Sequence, residues 1–199
     1  TYGAEIDSES VEYLHEHYPD FAERLTEGDF LKMDLKEVYG SRLKIIGNFP
    51  YNISSQIFFK VLENRDIVPE CVGMIQREVA VRLAEPPGSK EYGILSVLLQ
   101  AWYDIEYLFT VGEKVFNPPP KVKSAVIRLV RNDVKSLDCD EQLFIKVVKA
   151  SFGQRRKMLR NSLKAAFGEF RGEEHRFFTM RAEQLSVSDF VELTQWVAE

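Results

Sequence analysis

The sequence predicts an α/β fold with a small all-helical C-terminal region, and three observations carry that prediction. Over the first two-thirds, short apolar runs of strand length alternate with helix-like patterns. From about Asn132 onward the apolar residues recur at helical spacing only. The chain has 199 residues, of which 45% are hydrophobic, enough to bury a core for one domain and an appendage. Strands alternating with helices imply a mostly parallel sheet covered on both faces.

Taken in order, Tyr2–Ile6 reads as a short strand. A helix follows from about Ser8, with the Ser8 hydroxyl as its N-cap. Leu43–Gly47 is a second strand, and Ser54–Leu62 a helix with Ile57, Phe58, Val61 and Leu62 on its apolar side. Cys71–Ile75 reads as a buried strand, and Arg77–Ala84 as a helix that stops at Pro86-Pro87-Gly88. Tyr92–Trp102 is apolar enough for a packed helix. In Ser124–Val130, the alternation of Ala125, Ile127 and Leu129 with their neighbours predicts a strand. Val148, Phe152, Leu159, Leu163 and Ala166 predict one apolar stripe on a helix across that span, and Ser186–Ala198 a final amphipathic helix. The region boundary falls at Asn132–Ser136, giving 1–132 and 133–199.

The charge is unevenly placed. The net charge is −5, but residues 1–40 hold eleven acids against three bases, a balance of −8. Residues 114–164 hold thirteen bases against four acids, a balance of +9. This asymmetry suggests a polyanion facing the second half. Cys71 and Cys139 lie far apart, outside any paired-ligand spacing, so neither a disulfide framework nor a metal site is suggested. His15 and His17 stand two apart in a helix and share no face. No apolar run has the length needed to span a bilayer, and the composition is that of a cytoplasmic protein.

Ligands of an open parallel sheet bind at the carboxyl ends of its strands, and three loops there carry suggestive residues. Glu5 and Asp7 follow the first strand, where an acid can bond ribose hydroxyls, although two solvated acids before a helix would look the same. Gly28-Asp29-Phe30 offers flexibility, an acceptor and an aromatic face, as an adenine needs, and also fits an ordinary Asp turn. The third loop is Asn48-Phe49-Pro50-Tyr51. Pro50 restricts Phe49 to extended conformations, leaving the Phe49 carbonyl and the Asn48 carboxamide as acceptors for one planar amine. Tyr51 adds a ring on which a base can stack. A strand-to-helix turn capped by Asn52 or Ser54 explains Pro50 but leaves Asn48 and Tyr51 without a reason.

Asn48-Phe49-Pro50-Tyr51 resembles the Asn-Pro-Pro-Tyr-type motif of amino-group methyltransferases that use S-adenosylmethionine. With "QREVAVRL", "YGILSVLLQ", "VFNPPPKVKSAVIRL" and "SFGQRRKMLRNSL", the chain resembles the KsgA-type small-subunit rRNA adenine dimethyltransferases from Glu5 nearly to its end. The related methyltransferases of macrolide resistance share the tyrosine motif without the arginine-rich run. The resemblance implies a Rossmann-like class I methyltransferase domain and the cofactor S-adenosylmethionine. Glu5 would hold the cofactor ribose and Asp29 its adenine amine, with Phe30 beside the ring and Asn48 also in the cofactor site. Asn48 and the Phe49 carbonyl would grip the target adenine amine, with Tyr51 and Phe116 packing on the flipped base. The implied substrate is a pair of adjacent adenosines near the 3′ end of small-subunit rRNA in a pre-30S-type particle. The implied enzyme acts as a monomer without a membrane.

Lys121, Lys123, Arg155, Arg156, Lys157 and Arg160 are the expected phosphate contacts. Arg156, Arg160 and Lys164 would be spaced by four along one predicted helix. A non-catalytic rRNA-binding assembly factor on the same fold would keep these bases and need no cofactor. A generic nucleotide-binding α/β domain would not need them. The first strand of this sequence matches the family's second, so the family's first strand and its glycine-rich loop have no counterpart here. The expectation is an N-terminally incomplete sheet with a gap beside the strand carrying Asn48, and weakened cofactor binding by this chain.

Overall fold

The computed structural model describes residues 1–170 and 175–198. In chain order these form β1 (Gly3–Glu5), α1 (Ser8–His17), α2 (Pro19–Ala22), β2 (Leu25–Glu27), α3 (Leu35–Tyr39), β3 (Lys44–Asn48), α4 (Ser54–Glu63), β4 (Glu70–Gln76), α5 (Arg77–Ala84), α6 (Ile94–Gln100), β5 (Tyr103–Val111), β6 (Ser124–Arg131), α7 (Glu141–Gly153), α8 (Leu159–Phe167) and α9 (Val187–Ala198). The strands make a parallel pair, β1–β2, and a four-stranded sheet of order β3-β4-β6-β5. Among the described residues no ladder joins the pair to β3.

The larger sheet is mixed rather than mostly parallel. β3 and β4 run parallel, whereas β6 is antiparallel to both β4 and β5. Nor is it covered equally on both faces. Ile45, Cys71, Ile75, Ala125, Ile127 and Leu129 are buried on one side with Phe58 and Val61 of α4, Leu83 of α5, and Val97 and Leu98 of α6. Burial pushes the Cys71 thiol up to about 12, so it is an inert core group. The other side leaves Ile46 80% exposed and carries a ladder of ion pairs. Lys44 and Arg128 each reach Glu70 at 2.7 Å, and Arg128 reaches Glu106 at 3.4 Å. Hydrogen bonds from Lys44 and Arg128 hold the Glu70 carboxyl below its usual range.

Helix starts are set by local acids more often than by the expected hydroxyls. Asp7, not Ser8, caps α1 by accepting from the Ser10 N–H at 2.8 Å. α4 has no side-chain cap; Ser54 instead donates to the Tyr51 carbonyl at 3.2 Å. At α9, Asp189 accepts from the Ser186 N–H at 2.8 Å while Ser186 accepts from the Asp189 N–H at 3.2 Å. That is a reciprocal cap of the kind that satisfies two otherwise orphaned donors.

The single helix expected across Val148–Ala166 is two helices. α7 ends at Gly153 and α8 begins at Leu159. The first N–H groups of α8 are taken by distant carbonyls, Leu159 to Met180 at 2.8 Å and Arg160 to Phe178 at 3.2 Å. Of the expected stripe, Val148, Phe152, Leu159 and Leu163 are buried, whereas Ala166 is exposed. The helical region joins the sheet region in a continuous core, with Phe144 edge-on to Trp102 at 6.1 Å and Tyr92 against Phe152 at 6.4 Å. Arg131 ties the connection by donating to the carbonyls of Trp102, Arg65 and Val134.

His175 sits among Phe177, Phe178 and Trp196 with its side chain 9% exposed. Burial lowers its pKa below 6.5, against Glu192, which raises it, and with Arg176, which lowers it. Folding thus favours the neutral ring. The associated stability is full above the unfolded value of about 6.5 and is lost as pH falls below it. Denaturant titrations from pH 7.5 to 5 should show stability falling, and His175→Asn should flatten that fall. An unchanged slope in the variant would show that other groups cause it.

Candidate active site

The Asn48–Tyr51 loop leaves the carboxyl end of β3, and strand pairing fixes where it starts. Asn48 pairs with Met74, and the Phe49 N–H donates to the Met74 carbonyl at 3.0 Å, extending the ladder by one residue. The Phe49 ring turns inward, buried and edge-on to Phe58 at 5.7 Å. It lies across Gly47 and Gly73, which are cross-strand partners. A Cβ on Gly73 would stand 2.5 Å from the ring, and one on Gly47 2.8 Å. The two glycines therefore form a flat seat that only hydrogen side chains permit.

Beside its buried ring, Phe49 has its backbone carbonyl as a further polar group. Neither that carbonyl nor the Asn48 carboxamide is used in a hydrogen bond among the described residues. Asn48 and Pro50 are exposed and Tyr51 is half-buried. The Tyr51 hydroxyl shares a 2.5 Å hydrogen bond with Ser124 Oγ at the start of β6. Asn48, Phe49, Pro50 and Tyr51 line a cleft of about 320 Å³ together with Phe116, Pro118 and Pro120. All five expected catalytic positions thus meet in one place, of a volume suited to a small planar group.

Pro118, Pro120, Gly47, Gly73 and Ser124 belong to this construction although sequence reasoning did not single them out. An isolated glycine inside the apolar run Cys71–Ile75 was an available signal, because it marks close approach of another group. Ser124 gave none.

Glu5, Asp29 and Phe30 lie at the carboxyl ends of β1 and β2, outside this cleft. Glu5 is beside Glu27 in the register, and the Gly28 N–H donates to the Glu5 carbonyl at 2.8 Å. Glu5 Oε1 accepts from the Ile6 and Asp7 N–H groups at 2.9 Å each. Asp29 Oδ1 accepts from the Leu31 N–H at 3.0 Å, and Oδ2 lies 3.6 Å from Lys32. These bonds orient the carboxylates and leave acceptor capacity on each, since an ionised carboxylate offers about four lone-pair sites. Phe30 packs partly buried on the core. The spare acceptors are of the kind to which ribose hydroxyls and a purine amine donate.

Lys121, Lys123, Arg156 and Lys157 are exposed. Lys121 and Lys123 follow the prolines of the cleft. Arg156 stands in the turn before α8, so it does not form one helical row with Arg160 and Lys164. Arg155 is half-buried and donates to the backbone carbonyls of Lys90 and Tyr92, at 2.9 Å for the latter. Among the described residues, no three or more His, Cys, Asp or Glu side chains are grouped to hold a metal, and no helix is long and apolar enough to cross a membrane.

The family described as ribosomal RNA adenine dimethylase matches residues 3–199. A Ribosomal RNA small subunit methyltransferase A from Bacteroides thetaiotaomicron is 61% identical over 197 residues, covering 98% of this chain and 74% of that protein. One from Parabacteroides distasonis is 61% identical over 191 residues, covering 96% and 72%. Among solved structures, a dimethyladenosine transferase from Plasmodium falciparum superimposes with a TM-score of 0.78 at 22% identity, covering 96% of this chain and 78% of that one. The 23S rRNA methyltransferase ErmE gives 0.65 at 22%, covering 98% and 81%, and at such identity both show the shared fold. The chain belongs to the ribosomal RNA adenine dimethylase family.

Proposed function

We propose that this chain methylates the exocyclic amines of two adjacent adenosines near the 3′ end of small-subunit rRNA, using S-adenosylmethionine and acting as a monomer on a pre-30S-type particle. The observation that carries this reading is the single cleft joining two unpaired acceptors to two aromatic rings. An adenine amine is a weak nucleophile because its lone pair is delocalised into the ring. The Asn48 carboxamide oxygen and the Phe49 carbonyl accept its two protons and hold them out of the ring plane. That arrangement suits the developing tetrahedral nitrogen better than the flat ground state.

The target base must leave its stack to reach the cleft, at a cost of a few kcal/mol. Stacking on Tyr51 and Phe116 offsets it, at about 1–3 kcal/mol per base. Glu5 and Asp29, with Phe30 beside them, would hold S-adenosylmethionine, whose sulfonium would give up its methyl group to the amine and leave as a neutral thioether, the amine then losing a proton to water. Lys121 and Lys123 beside the cleft, with Arg156, Lys157 and Arg160 of the helical region, meet RNA phosphates. Arg155 contributes by holding the 90–92 loop.

Glu5 and Asp29 stand on a strand pair with no ladder to the sheet that carries Asn48. Without that ladder, this chain is expected to bind S-adenosylmethionine more weakly than the Bacteroides relative; calorimetric titration of the two compares them. The main test supplies labelled S-adenosylmethionine and unmethylated small subunits, with cofactor raised until the rate saturates. Label is expected on adenosine amines. Label on other bases, or none at saturation, would overturn the reading.

A further inference from the structure

Ser124 is buried and polar, and its hydroxyl meets the Tyr51 hydroxyl at 2.5 Å across 73 positions of sequence. The Tyr51 ring needs such a hold. Tyr51 lies in a turn closed by the Ile53 N–H donating to the Pro50 carbonyl at 3.2 Å, and its own carbonyl accepts from Ser54. Those bonds fix its backbone, but they leave the far end of a half-buried ring to be placed by something else. Ser124 can do this because it is rigid. It starts β6, the strand between β4 and β5, and is paired with Gln76 on one side and Val111 on the other.

The position of Ser124 in the chain adds to the argument. The loop between β5 and β6 supplies Phe116, Pro118 and Pro120 to the cleft and ends at Ser124. The hydroxyl pair therefore ties the wall made by Asn48–Tyr51 to the segment that makes the remaining wall. We infer that Ser124 is a positioning residue for methyl transfer: by pinning the Tyr51 hydroxyl it sets the plane of the stacking ring and the width of the slot that receives the adenine. This rests on the reading of the cleft as the base-binding site. It also gives the Tyr51 hydroxyl a structural partner, so the ring serves by stacking rather than by proton transfer.

The test is a double-mutant cycle of Ser124→Ala and Tyr51→Phe, with Tyr51→Ala as reference, read in two ways. One readout is kcat and KM for methyl transfer. The other needs no cofactor: emission of an RNA carrying 2-aminopurine in place of the target adenosine, quenched when the base stacks on a ring. Ser124→Ala should lower kcat about three- to tenfold, the range of one hydrogen bond, and raise the emission, while the melting temperature falls by only about 2–4 °C. Tyr51→Phe should do the same, and the double variant should be no worse than either single one. Effects that multiply in the double variant would overturn the proposal, because Ser124 would then act by another route. So would a Ser124→Ala variant with normal kcat and emission beside a Tyr51→Ala variant that has lost both activity and quenching. Should Tyr51→Ala itself change neither readout, the base-binding reading of the cleft fails first and the role of Ser124 with it.

Discussion

Asn48→Ala is expected to slow methyl transfer by about 10²–10³-fold, the usual effect of removing one preorganised group that stabilises a transition state. The residue ends β3 with its carboxamide exposed and without a partner among the described residues. Its backbone is held by pairing with Met74. Alanine therefore removes an acceptor without disturbing the strand, and the melting temperature should be unchanged. Because the acceptor fits the tetrahedral nitrogen better than the planar amine, the loss should fall on the chemical step more than on RNA affinity. Single-turnover methyl transfer at saturating RNA and cofactor separates the two. Asn48→Asp retains an oxygen acceptor but adds a charge in the cleft, and should recover only part of the rate. Equal rates for the wild type and Asn48→Ala would remove the amine grip from the mechanism.

Gly73→Ala is expected to damage both stability and activity from a position that touches no substrate. Its Cβ would stand 2.5 Å from the Phe49 ring, with Phe58 behind that ring. The ring must move, and overpacking of this kind costs about 1–3 kcal/mol. The same movement shifts the Phe49 carbonyl, and a misplacement on the order of 1 Å can cost about 100-fold in rate. Denaturant midpoints and single-turnover rates measure the two effects. The cause is isolated by Phe49→Ala, which empties the seat. Once the ring is gone, Gly73→Ala should add little further destabilisation. A full additional loss in the Phe49→Ala background would show that Gly73 matters for some reason other than the ring.

Much of the site was legible because its chemistry is local in sequence. Asn48, Phe49, Pro50 and Tyr51 are consecutive, and Pro50 constrains Phe49 through covalent geometry alone. Phe116 was reached through the family resemblance, and the structure brings it into the same cleft. Other expectations failed for identifiable reasons. The sequence spacing of Val148, Phe152, Leu159 and Leu163 runs on through the turn after Gly153, so periodicity had no means of detecting the break. The decisive bonds, from Leu159 and Arg160 to Met180 and Phe178, come from far along the chain. β5 carries alternating residues from Tyr103 to Tyr107, but it is an edge strand with a register shift before Phe109. Its outer half faces solvent, so the pattern fades.

The sequence by itself determined which chemical groups are present and in what local order: the amide, the proline and the ring of the loop, the acids after β1 and β2, and the bases of the second half. Local order is enough for these because turns, caps and strand periods depend on neighbours a few residues apart. Only the tertiary structure decided that Gly47 and Gly73 form a seat for Phe49 and that Ser124 holds Tyr51. It also turned Arg155 to the carbonyls of Lys90 and Tyr92. These are contacts between segments tens of residues apart. Strand order and register bring such segments together, and neither composition nor periodicity encodes that register.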